Sequence, residues 1–171
     1  MTSPADDDAG TRYRCTGWTG TGSVPATGTD TSVDFTITAP SSITWNWIPQ
    51  AYRITFTESG PEDGKSVTIT VNGNPHSGTT PYTYQEWFDK DSSVTFSITD
   101  PIDSATTGKR YALTNWKNIA GSVITAPQTI SAPNTFTANY KTQYYLTVNT
   151  NPTGLSPQPT VSPSGPWYDK D

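Results

Sequence analysis

Phrases that return further along limit most strongly what this chain can fold into. Tyr52-Arg53-Ile54-Thr55-Phe56 comes back as Tyr144-Tyr145-Leu146-Thr147-Val148, and Trp87-Phe88-Asp89-Lys90-Asp91 comes back as Trp167-Tyr168-Asp169-Lys170-Asp171. Lys109-Arg110-Tyr111-Ala112-Leu113-Thr114-Asn115-Trp116 has an upstream counterpart in Thr11-Arg12-Tyr13-Arg14-Cys15-Thr16-Gly17-Trp18. Pro133, Phe136, Asn139, Tyr140 and Gln143 match Pro40, Ile43, Asn46, Trp47 and Gln50 at a constant offset of 93. Self-similarity of this kind within one chain is the signature of a repeat architecture, in which each unit is a small supersecondary assembly. The chain is therefore expected to hold the back half of a repeat (1–51), a complete repeat (52–143) and the front half of another (144–171).

Within these units the apolar residues alternate. Val33-Asp34-Phe35-Thr36-Ile37-Thr38, Ser66-Val67-Thr68-Ile69-Thr70-Val71 and Ser93-Val94-Thr95-Phe96-Ser97-Ile98 each put apolar side chains on one face and polar ones on the other. Ile43-Thr44-Trp45-Asn46-Trp47 and Phe136-Thr137-Ala138-Asn139-Tyr140 repeat the pattern. A period of two in short runs is the signal of a half-buried antiparallel strand. Between the runs lie Ser59-Gly60-Pro61-Glu62-Asp63-Gly64, Asn72-Gly73 and Asp100-Pro101. These are turn formers, and Asn-Gly is the strongest two-residue hairpin signal. No stretch combines helical spacing with helix-forming composition, and residues 83–90 read as extended or turn because of their aromatic content and short length. The expected fold is all-β: tandem small antiparallel β modules, either β-sandwich (Ig-like) or helix-less β-grasp-like.

Composition bounds the function. Six Trp, nine Tyr and five Phe supply large buried areas to a chain otherwise rich in small polar residues. A net charge of −5, with scattered Lys and Arg, argues against nucleic acid, whose phosphates need clustered cations. No apolar run reaches the length of a membrane span. Met1-Thr2-Ser3-Pro4-Ala5-Asp6-Asp7-Asp8 has neither the basic nor the apolar region of a secretory leader, and the chain opens within a repeat, so a preceding segment is expected. Cys15, the single cysteine, stands where the complete unit has Leu113 and reads as a small buried apolar residue.

The recurring Tyr-x-Leu-Thr-Val, Trp-Tyr-Asp-Lys, Tyr-x-x-x-Gly-Trp and Pro-x-x-Ile-Thr-Trp-Asn-Trp phrases resemble the divergent internalin-B-type repeats, tandem extracellular modules of bacterial and archaeal surface proteins. The resemblance implies an extracellular or cell-surface location, a structural, stalk or adhesion role, and no catalytic residues. Relatives with shorter repeats have a β-grasp-like fold with a helix; the unit here is longer and shows none.

Candidate chemistry is sparse. His76 is the sole histidine and sits in a turn-like Asn74-Pro75-His76-Ser77-Gly78 without a nucleophile elbow, so no catalytic residue is assigned. One His and one Cys cannot furnish a zinc site. Asp6-Asp7-Asp8 and Asp89-Lys90-Asp91 lack the spacing of a calcium loop and read as turns, so no metal and no cofactor is assigned. Trp18 and Trp116 occupy equivalent positions, as do Trp87 and Trp167, and residues that recur in this way are expected in the core or in packing between strands. Trp45, Trp47, Trp87 and Trp167 are the candidates for stacking on a sugar or another surface ligand, the alternative to a purely structural module. The third candidate partner is the chain itself. The two half repeats expose complementary apolar faces (Ile43, Trp45 and Trp47 in one, Leu155 and Trp167 in the other), which would join copies head to tail.

Overall fold

The computed structural model describes residues 2–149, 153 and 166–170. Leu155 and Asp171 lie outside the described residues. The fold is all-β, and no helix occurs among the described residues. The chain forms two compact units. One holds residues 1–55, 85–94 and 127–135, and the other holds 56–84, 95–126 and 136–171.

In the first unit, β1 (Ala5–Asp6), β2 (Thr11–Thr21), β3 (Thr27–Gly28) and the first part of β4 (Ser42–Ser59) form antiparallel ladders centred on β2. Cys15, Trp18, Val24, Ala51 and Tyr52 are buried there. In the second unit, β5 (Ser66–Val71) lies between β6 (Asn74–Thr79) and β9 (Phe96–Ile98). β10 (Ile102–Asp103), β11 (Lys109–Lys117), β12 (Val123–Ile124), β14 (Asn134–Tyr145) and β15 (Trp167–Asp169) make its second set of ladders. Its core is aromatic. Phe56 lies 5.8 Å from Phe96 and 5.6 Å from Phe136, and Phe96 lies 4.9 Å edge-on to Trp116. Such pairs add about 0.5–1.5 kcal/mol each to what burial itself contributes.

The Asn72-Gly73 turn is where the sequence places it. Val71 pairs with Asn74, and both loop residues have positive φ (48° and 82°), the geometry of a two-residue hairpin turn. Pro75 sits inside β6, tolerated because β6 is at the edge of its sheet. Residues 83–89 are β7 (Thr83–Asp89), the extended one of the two forms, extended or turn, open to that stretch.

Two expected strands come out differently. The run Ser93–Ile98 is split: β8 (Ser93–Val94) pairs with β13 (Gln128–Thr129), whereas β9 pairs with β5. Thr95 is the break, its N–H donating to Asn72 Oδ1 at 2.9 Å. Residues 33–38 form no strand at all, with Ile37 71% exposed. Its counterpart Ile130 is 1% exposed, held where Asp91 N–H donates to its carbonyl and its own N–H donates to Ser92 O. Residues 33–38 have the alternation of a strand without that neighbour.

Candidate functional site

Two ladders at corresponding sequence positions follow one plan. In β2–β4, Cys15 faces Trp47, Gly17 faces Asn46 and Trp18 faces Trp45, with a bulge at Thr16. In β11–β14, Leu113 faces Tyr140, Asn115 faces Asn139 and Trp116 faces Ala138, with a bulge at Thr114. The third strands also agree, since β3 pairs Gly28 with Trp18 and β12 pairs Ile124 with Trp116. One detail corrects the sequence alignment. Arg110 faces Gln143, but Arg12 faces Ala51, so the counterpart of Gln143 is Ala51 and Gln50 is the extra residue of a second bulge.

Glycine marks the place where the first ladder is tightest. Gly17 has φ +113°, and a Cβ built there would stand 1.8 Å from Gly28 O. A side chain on Gly28 would meet the buried Trp18 ring at 2.1 Å.

Each ladder continues into a second recurring arrangement. Arg53 N–H donates to Gly10 O at 2.9 Å, as Tyr145 N–H donates to Gly108 O at 2.8 Å, and both glycines have positive φ. Lys90 N–H donates to Gln50 O at 2.7 Å, as Lys170 N–H donates to Thr142 O at 2.9 Å. Here the tryptophans meet cations. The Arg12 guanidinium lies 4.3 Å from the Trp87 ring centroid, with Arg53 at 6.0 Å, and Arg110 lies 4.1 Å from Trp167. Both cations are steered by side-chain acceptors. Arg12 Nε and Nη2 donate to the two Asp6 oxygens at 2.7 and 3.0 Å, and Arg110 Nε donates to Gln143 Oε1 at 2.8 Å. The hydrogen bond from Arg12 holds the Asp6 carboxyl below its ordinary value, and those from Lys141 and Gln143 do the same for Asp169.

The candidate stacking residues are therefore placed as follows. Trp87 and Trp167 are half-buried, each within cation–π distance of a guanidinium. Trp45 is half-buried and packs edge-on against Trp18 at 5.4 Å. Trp47 is half-buried opposite Cys15. Trp45, Trp47 and Trp87 belong to the first unit and Trp167 to the second. Trp18 and Trp116 are core residues, 6% and 7% exposed.

Sequence reasoning missed the densest polar cluster, centred on Glu62. Its carboxylate accepts from Ala105 N–H (2.6 Å), Ser104 Oγ (3.0 and 3.1 Å) and Tyr111 OH (3.1 Å). Lys65 Nζ lies at 3.0 Å and Lys109 Nζ at 3.5 Å. The Ala105 N–H, then Lys65, pull its pKa from 4.5 down to about 2. Glu62 thus stays ionised and acceptor-only, which suits a clamp on residues 104–105 and not a proton donor. Beside it, an open cleft of about 460 Å³ is lined by Lys65, Ser66, Thr99, Ile102 and Asp103 among others. No sequence signal joins Glu62 to partners more than 40 residues away. The Arg–Trp contacts had one, because arginine and tryptophan recur together at matching positions.

Several other titratable groups make local contacts. Lys90 Nζ donates to Asp91 Oδ2 at 2.6 Å, and Asp91 adopts φ 65° in the turn after β7. Among the described residues no three His, Cys, Asp or Glu side chains converge to hold a metal ion. The His76 ring stacks on Tyr84 at 3.6 Å between centroids. Tyr140 OH donates to Thr99 O, and burial, then the Asp100 and Glu58 charges, raise its pKa. No helix among the described residues is long and apolar enough to cross a membrane. No protein-family model, curated protein or solved structure matches the chain.

Proposed function

We propose that the chain is a non-catalytic tandem repeat module of an extracellular, cell-surface protein, serving as a stalk or adhesion element that spaces or presents other parts. The observation that carries this reading is the recurrence of one ladder plan, with the same bulge, the same glycine turn and the same arginine over the same tryptophan, at matching sequence positions. Arrays of small units that contact their neighbours extend by a constant step per unit, which is the physical use of such a plan. The all-β fold and the resemblance to surface-protein repeats agree with it. Ligand stacking on tryptophan draws less support, since Trp87 and Trp167 lie against guanidinium groups and Trp45 against Trp18.

The test is to join one, two and three copies genetically through a segment with the sequence of residues 92–97, which is present in the complete repeat and absent between position 171 and position 1. X-ray scattering is expected to show the maximum dimension growing by one constant increment per copy. A compact particle, or an expanded unfolded profile on joining, would overturn the reading.

A further inference from the structure

Two sets of apolar side chains stay partly open although their sequence counterparts are buried elsewhere in the molecule. In the second unit Phe136 and Ala138 are 3% and 0% exposed, and Phe56, 0% exposed, sits 5.6 Å from Phe136. By sequence position Ile43 corresponds to Phe136 and Trp45 to Ala138, while Leu146 and Val148 correspond to Ile54 and Phe56. Ile54, like Phe56, is 0% exposed. The counterparts are not covered in this way: Ile43 and Trp45 are half-buried, and Leu146 and Val148 are 42% and 48% exposed.

Resting on the repeat reading, we propose that this chain binds a second copy of itself head to tail. Residues 144–148 of one copy lie on residues 43–47 of the next, with Val148 against Ile43 as Phe56 lies against Phe136. The receiving face is already built. Trp45 packs edge-on against Trp18 at 5.4 Å, and Phe96 packs edge-on against Trp116 at 4.9 Å. The donor strand needs no reshaping at its root, since Tyr145 N–H is fixed to Gly108 O and Leu146 N–H to Pro166 O, both at 2.8 Å.

The contact is small. Leu146 and Val148 are 42% and 48% exposed on the donor side, and Ile43 and Trp45 are half-buried on the receiving side. These side chains fall well short of the roughly 1,600 Å² of a standard interface, and weak association, in the micromolar range, is expected. Because the two surfaces differ, the contact is heterologous and adds copies without closing at a dimer.

Sedimentation equilibrium of the full chain across a hundredfold dilution centred on roughly 10 µM is the test. The average mass is expected to rise with concentration past that of two chains. Val148→Asp and Ile43→Asp are each expected to weaken association at least about tenfold, a loss of ~1.4 kcal/mol or more. Mixed together, the two variants should form a one-to-one dimer that stops there, because one intact donor and one intact acceptor remain. Ile43→Thr, a smaller change, replaces Ile43→Asp if thermal melts show that the latter fails to fold. A constant mass of one chain overturns the proposal. So does a symmetric dimer that survives Ile43→Asp, or association abolished by a soluble glycan with both variants still assembling. Separate chains that stay single while joined copies still lengthen by a constant increment would sink the docking alone; loss of that increment would sink the repeat reading beneath it.

Discussion

Trp116 shows what one residue contributes here. Its ring is 7% exposed and meets Phe96 edge-on at 4.9 Å, so truncation removes both apolar burial and an aromatic pair. Trp116→Ala is expected to destabilise the fold by about 3–5 kcal/mol, read from denaturant midpoints at constant slope; a loss below about 1 kcal/mol would place the ring at the surface. Glu62 gives a pH dependence of definite sign. Its folded pKa, about 2, lies below its ordinary 4.5, so the folded state holds fewer protons there than the unfolded chain. The stability it contributes is complete above about pH 4.5 and is lost as pH falls toward 2. Glu62→Gln should flatten that part of the acid-unfolding curve and leave the part above pH 5 nearly parallel to the parent; an unchanged acid limb would mean that the cluster does not form in solution. Of these two residues, Trp116 was legible in the sequence, because Trp18 repeats it. Glu62 was not, since its geometry depends on how the turn at 59–64 meets residues 104–111, and alternation carries no information about which loops meet.

At the scale of elements, period-two alternation located most strands because it reports which face can be buried. It does not report whether a neighbour is there to pair with, and residues 33–38 show the difference. Residues 36–40 share Thr-Ile and Ala-Pro with residues 129–133, yet only the latter copy has Asp91 and Ser92 to bond its backbone. The run 93–98 shows a second limit, a single alternating stretch serving two partners through one side-chain acceptor, Asn72 Oδ1. The candidate tryptophans were found as a set, but their cationic partners were not, although Arg12 and Arg110 recur with them. Trp87→Ala is expected to cost about 1–2 kcal/mol, less than Trp116→Ala, because a half-buried ring yields part of a full burial plus a modest cation–π attraction. In an Arg12→Gln background the same substitution should cost measurably less. Equal costs in the two backgrounds would mean the guanidinium and the ring do not interact.

For the whole molecule, the charge balance decides how copies respond to salt. Each copy carries −5, so long-range repulsion opposes association, whereas the surfaces proposed to meet are apolar. Raising ionic strength from about 0.01 M to 0.15 M shortens the screening length from roughly 30 Å to 8 Å and should strengthen self-association severalfold. Weakening by salt would instead point to a contact built on ion pairs. The ladder plan has one more consequence, for the history of such a gene. A strand shifted by a single residue turns every side chain to the opposite face, so most insertions or deletions within these ladders destroy the fold. On the proposed repeat reading, an exchange between matching positions of two copies adds or removes a whole unit and keeps the alternation of the strands on either side of the crossover. Unequal recombination can therefore change the length of such a protein in whole units.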